Sequence, residues 1–153
     1  MLQKKSKEFL DSISKIKKIA HAQRKTKDFH PGMLMTMKII FNDYLNHKGD
    51  KDYYGIKTSD LTQKLCITKP ATSKILNIME DKGYISRSSN KSDRRVVYVK
   101  LTEEGENFLR EENIKFENFT YKIVEKMGEE DTDNLIRLFN RLCNVIEELQ
   151  LEK

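Results

Sequence analysis

Apolar positions in this chain return at two spacings, and the spacing changes mark its elements. From Phe9 to Ala20, the residues Phe9, Leu10, Ile13, Ile16, Ile19 and Ala20 recur at steps of three and four, with lysines filling the opposite face. That pattern predicts an amphipathic helix. It fades in "HAQRKTKDFH", and Pro31-Gly32 punctuates the chain. A second helix is predicted over Met33 to Leu45, with Met33, Leu34, Met37, Ile40, Phe41, Tyr44 and Leu45 inward, until "NHKGDKDYYG" breaks it. Two short helical units follow. Thr58 or Ser59 can cap "SDLTQKLC", whose inward face is Leu61 and Leu65. After a brief turn at Cys66-Ile67, Thr68 can cap "KPATSKILNIMEDKG", where Ile75, Leu76 and Met79 form the buried stripe. Pro70 falls in the first turn, where its missing amide costs nothing, and Gly83 ends the helix.

The period then drops to two. "YISRS" and "RVVYVKL" carry β-branched and aromatic residues on alternating positions and predict a hairpin. Thr102 can cap a long helix with Phe108, Leu109, Phe116, Phe119, Ile123 and Met127 on one face. Gly128 to Asp131 interrupts it, and a last helix carries Leu135, Leu138, Phe139, Leu142, Val145, Ile146 and Leu149. The expected fold class is mainly α with a small β-hairpin. At 153 residues the chain has the length of one domain.

Charge sharpens this outline. The formal net charge of +5 favours an anionic partner. Between Lys82 and Lys100 the hairpin region holds six cations (Lys82, Arg87, Lys91, Arg94, Arg95 and Lys100) against one acid, Asp93. An arginine at a hairpin tip can enter a narrow, electronegative minor groove, and Asp93 can hold the Arg95 fork in place. The two short helices match a helix-turn-helix, a unit that lays its second helix in the DNA major groove. On that helix Thr68, Lys69, Ala71, Thr72 and Lys74 are expected to project. Their hydroxyls, methyls and ammonium groups suit base edges and phosphates.

Other chemistry is sparse. Cys66 and Cys143 lie far apart without metal-ligand spacing and are expected to be reduced thiols filling small gaps in the core. His47 stands in a loop without ligand partners. No Ser/His/Asp grouping or phosphate loop occurs, so neither an enzyme nor a cofactor is expected. The N-terminus lacks the apolar core of a signal peptide and no apolar run reaches spanning length, so the expected location is the cytoplasm.

The stretch from Ile56 to Leu109 resembles the winged-helix core of the MarR family of bacterial transcription regulators. The resemblance is carried by the wing, Asp93-Arg94-Arg95, followed by Leu101-Thr102 and Gly105. It implies a winged helix-turn-helix, about 34–102, flanked by dimerisation helices at about 1–30 and 103–153. It also implies a homodimer binding double-stranded DNA at a pseudo-palindromic operator as a repressor or activator, with a repressor released by a small-molecule effector as the expected form. The DNA-binding residues it suggests are Thr58, Thr68, Lys69, Ala71, Thr72, Lys74, Arg87, Lys91, Asp93, Arg94 and Arg95. A ligand cleft would be lined by His21, Met33, Met37 and Phe116. The family's peroxide sensors use a cysteine near the N-terminus, which this chain lacks. The alternative is a winged helix that serves protein interaction or dimerisation and does not read DNA.

Overall fold

A computed structural model describes residues 1–23, 32–89 and 96–151, with the backbone alone at 20–23. Its elements run α1 (Leu2–Gln23), α2 (Met33–Asn46), β1 (Ile56–Lys57), α3 (Thr58–Leu65), α4 (Lys69–Asp81), β2 (Ile85–Ser89), β3 (Val97–Leu101), α5 (Glu103–Met127) and α6 (Glu129–Leu151). The chain divides into two compact units, Met1–Leu109 and Arg110–Lys153.

In the first unit, α2 presents Met33, Met37 and Ile40 at i, i+4 and i+7 to a core completed by Leu61, Ile75, Leu76, Met79, Ile85, Val99 and Leu109. Between those methionines Thr36 is also buried, its hydroxyl donating to the Gly32 carbonyl at 2.8 Å. Tyr44 and Leu45, expected inward, are 40% and 46% exposed. The last turn of α2 overhangs the core, and Tyr44 meets Tyr53 from the following loop instead (ring centroids 6.2 Å apart). That loop is pinned through Asp43, whose carboxylate accepts from Tyr53 Oη at 3.1 Å and Lys64 Nζ at 3.2 Å. Burial, and then the bond to Asp43, push the Tyr53 phenol well above its ordinary pKa.

The sheet has a strand that the alternation pattern did not announce. Ile56–Lys57 pairs antiparallel with β3 (Ile56↔Val99, Lys57↔Tyr98), giving the order β1-β3-β2. Two residues are too few to show a period, so β1 is visible only through its partner. It also changes the start of α3. The N-cap is Lys57 in extended conformation, with no side-chain bond, because the chain passes from strand to helix without a gap. Thr58 is already helical, and its hydroxyl donates to the Val97 carbonyl at 3.1 Å, stitching α3 to β3 rather than capping.

At the turn between α3 and α4, Cys66 adopts the left-handed region with φ 52°. This conformation ends α3 by aiming the Cys66 amide at the Gln63 carbonyl, 3.1 Å away. It also turns the side chain outward, so Cys66 is exposed and fills no core gap, contrary to expectation. Thr68 caps α4 as expected, accepting from the Ala71 amide at 3.4 Å, with Pro70 in the first turn. The far end of α4 closes with paired bonds from Gly83 N to Glu80 O and from Tyr84 N to Met79 O, both 2.9 Å. Gly83 has φ +73°, the left-handed geometry this double bond requires.

One junction joins α4, β2, β3 and α5. Thr102 N donates to Tyr84 O at 3.0 Å, and the Thr102 hydroxyl donates to Gly83 O at 2.6 Å while accepting from Gly105 N at 3.0 Å. Gly105 lies against the Tyr84 carbonyl so closely that a Cβ would overlap it. Above them Tyr84 stacks on Phe108, centroids 4.5 Å apart.

The second unit is built from the rest of α5 and from α6. A single residue, Gly128 at φ +80°, separates the helices. Glu129, Glu130 and Asp131, expected in the break, instead form the first turn of α6, where their charge suits the helix dipole. No residue of α6 is buried within the chain, and Cys143, expected in a core, is exposed. Among the described residues no helix is long and apolar enough to cross a membrane.

Two outcomes follow from this architecture. Gly105→Ala should lower stability by about 1–3 kcal/mol, the usual cost of forcing extra atoms into close packing. Urea unfolding would check it, and an unchanged midpoint would mean that the junction can open without loss. Thr68→Ala should cost about 1 kcal/mol through the lost N-cap, read in the same assay.

Candidate nucleic-acid interface

The outward face of α4 follows from its inward one. Buried positions are Thr72, Ile75, Leu76 and Met79, a stripe at i, i+3, i+4 and i+7. The opposite face must then carry Lys69, Ser73, Lys74 and Asn77, all of which are exposed, beside exposed Thr68 and half-buried Ala71.

This geometry corrects one expectation. Thr72 is 0% exposed and contributes to the core, not to the projecting face. Its hydroxyl is satisfied one turn back, donating to the Thr68 carbonyl at 3.3 Å, which leaves its methyl free to pack inward. The two residues that take its place outside, Ser73 and Asn77, were not singled out from the sequence. Extending the stripe 75, 76 and 79 back by one turn lands on 72, and that spacing was the available signal.

Arg87 on β2 is also engaged. Its Nη2 donates to Asn77 Oδ1 at 2.8 Å, and its Nε lies 3.3 Å from Glu80 Oε2, an ion pair without hydrogen-bond alignment. The side chain is 26% exposed, so the guanidinium is turned to α4 instead of extending freely into solvent. Thr58, likewise, has its hydroxyl committed to β3. Both line a hollow of about 520 Å³ where α3, α4 and the sheet meet, together with Lys57, Ser59 and Ser73. Lys100, counted among the hairpin cations, points the other way. Its Nζ donates to the Tyr53 carbonyl at 2.7 Å and sits 5.2 Å from the centre of that ring.

Lys91, Asp93, Arg94 and Arg95 fall between β2 and β3 in the sequence and lie outside the described residues. Of the expected ligand cleft, Met33 and Met37 are 1% and 0% exposed and belong to the core, because they are the inward stripe of α2. Phe116 is exposed in the second unit, and the His21 side chain lies outside the described residues.

Comparison with known proteins agrees with this geometry. Residues 51–97, from the loop before β1 to the start of β3, match the model of the MarR family. Among solved structures, Streptococcus pneumoniae FabT in complex with DNA is similar at 25% identity, covering 95% of this chain and 98% of that one with a TM-score of 0.65. A point mutant of S. aureus MepR is similar at 18% identity, with 92% and 97% covered and a TM-score of 0.73. The MepR–DNA complex is similar at 18%, with 92% and 96% covered and a TM-score of 0.62. With helix-turn-helix, flanking sheet and helix order all in place, the chain has the fold of these structures, and its residues 51–97 match the MarR family model.

Proposed function

We propose that this chain is a homodimeric transcription regulator that binds double-stranded DNA sequence-specifically at a pseudo-palindromic operator. The observation that carries the reading is the outer face of α4. A capped, proline-started helix presents Lys69, Ser73, Lys74 and Asn77 side by side, with its opposite face anchored in the core. Short hydroxyl and amide groups can approach base edges, and the two lysines can reach phosphate or guanine. FabT and MepR, which share the fold, have been captured on DNA.

The division of labour assigns the winged helix, about 34–102, to DNA and the flanking helices to pairing. Thr68, Lys69, Ala71 and Lys74 enter or border the major groove. Lys91 and Arg94 take phosphates, and Arg95 enters the minor groove, aimed by Asp93. Dimer symmetry sets two such heads about one DNA turn, roughly 34 Å, apart.

Exposed apolar surface supports the second copy. On α1, Phe9, Leu10, Ile16 and Ile19 are exposed, and on α6 so are Leu138, Phe139, Ile146 and Leu149. Apolar stripes of this extent on monomeric proteins are uncommon and mark association surfaces. The regulator acts as a repressor, and a small molecule releases it by changing the separation of the two α4 helices. MepR has been captured with ethidium bromide, which supports an effector of that size.

Two measurements test this. Titrating duplex binding against salt should give a log–log slope of roughly −5 or steeper, at about −0.9 per phosphate contact. A flat response would leave the non-DNA alternative standing. In the same assay Arg95→Ala should weaken operator binding by about 1–3 kcal/mol with folding and pairing intact. For assembly, sedimentation should give twice the 18.1 kDa chain mass. Ile146→Asp with Leu149→Asp should weaken pairing by about 100-fold or more, since unpaired charge would be buried. A double variant that stays dimeric would move the interface elsewhere.

A further inference from the structure

Arg87 gives position 77 a direction. A guanidinium has only donors, and its Nη2 lies 2.8 Å from the Asn77 side chain. The amide can therefore meet it only through Oδ1, which turns Nδ2, with its two hydrogens, away from Arg87. Arg87 is also held by Glu80, one helical turn beyond Asn77, with Nε 3.3 Å from Oε2. Three side chains from two elements thus fix an amide that would otherwise rotate freely on an exposed helix face.

We infer that Asn77 is a specificity-determining residue presenting a hydrogen-bond donor to the major groove, and that Arg87 is the positioning residue that orients it. The inference rests on the proposed DNA-binding function and deepens it. A free asparagine pairs with adenine, accepting from N6 while donating to N7. With one lone pair of Oδ1 engaged and the carbonyl aimed at Arg87, that bidentate pair is disfavoured. What faces the base is then chiefly a donor, which suits the acceptors N7 and O6 of guanine or O4 of thymine better than adenine, whose one acceptor N7 lies beside the N6 donor, and disfavours the N4 amino group of cytosine. The charge of Arg87 is also committed to Glu80, so Arg87 contributes no phosphate contact of its own.

Selection from a randomised duplex pool, run with the full-length protein and its variants, tests this. Asn77→Ala should flatten base preference at one position per half-site, by roughly three- to tenfold, the worth of one hydrogen bond. At that position the unaltered protein should favour guanine or thymine. Asn77→Asp keeps an acceptor for Arg87 but loses the donor, and should move the preference toward cytosine. Arg87→Met should free the amide and admit adenine, whereas Arg87→Lys, which still offers only donors, should keep the original preference. The salt slope should not change in Arg87→Met.

Adenine preferred at that position by the unaltered protein, or no position sensitive to Asn77→Ala, would overturn the inference while leaving DNA binding intact. So would a slope reduced by about 0.9 in Arg87→Met, which would make Arg87 a phosphate contact. A protein that enriches no duplex fails at the earlier step, and both readings fall together. The exposed Asn77 variants decide the matter even if substitution of Arg87 disturbs folding.

Discussion

The winged helix hangs on one crowded junction. Thr102 bonds through its amide and its hydroxyl to the carbonyls of Tyr84 and Gly83, and the same hydroxyl receives the Gly105 amide. Four elements converge there: the end of α4, the start of β2, the end of β3 and the start of α5. Because Gly105 has no Cβ, α5 can approach the Tyr84 carbonyl closely enough for these bonds to form together. Loosening that contact would let the strands shift against α4. Any surface built across the helix and the sheet therefore inherits its precision from a threonine and a glycine that touch no solvent-facing chemistry.

The same junction explains what was legible in the sequence. Leu101 and Gly105 stand out in the sequence only as part of a resemblance, whereas Thr102 is also legible as a helix cap, and their packing supplies the physical reason for that spacing. Long periodic stripes were readable because burial imposes them: Met33, Met37 and Ile40 on α2, and Ile75, Leu76 and Met79 on α4, face the core. Thr68 and Gly83 were readable because caps have few chemical solutions.

What the sequence hid has physical causes too. Thr72 is polar by type, yet a helical threonine can satisfy its hydroxyl within the helix and bury its methyl, so residue class misjudged its side. Tyr44 and Leu45 keep the apolar period beyond the point where the core ends, and periodicity carries no information about what lies opposite. Cys66 was assigned by its apolar neighbours, whereas a left-handed backbone decides where its thiol points. Arg87 looked like any other cation of the hairpin. Its commitment to Asn77 and Glu80 depends on a strand and a helix meeting, which no local pattern records.

α6 illustrates a further consequence of burial. Among the described residues none of its 23 is fully buried, and only Thr132 and Leu142 are half-buried. A helix of that length, alone in water, gains little beyond its own backbone bonds, because most helical stability comes from covering an apolar face. Whatever covers α6 therefore also supplies much of its order. The entropy of fixing the helix and the entropy of bringing in its cover are then a single thermodynamic quantity. If a second copy supplies that cover, as proposed above, dilution, which acts only on the second, would be felt by the first, and the helical content of the C-terminal unit would follow how much protein is present.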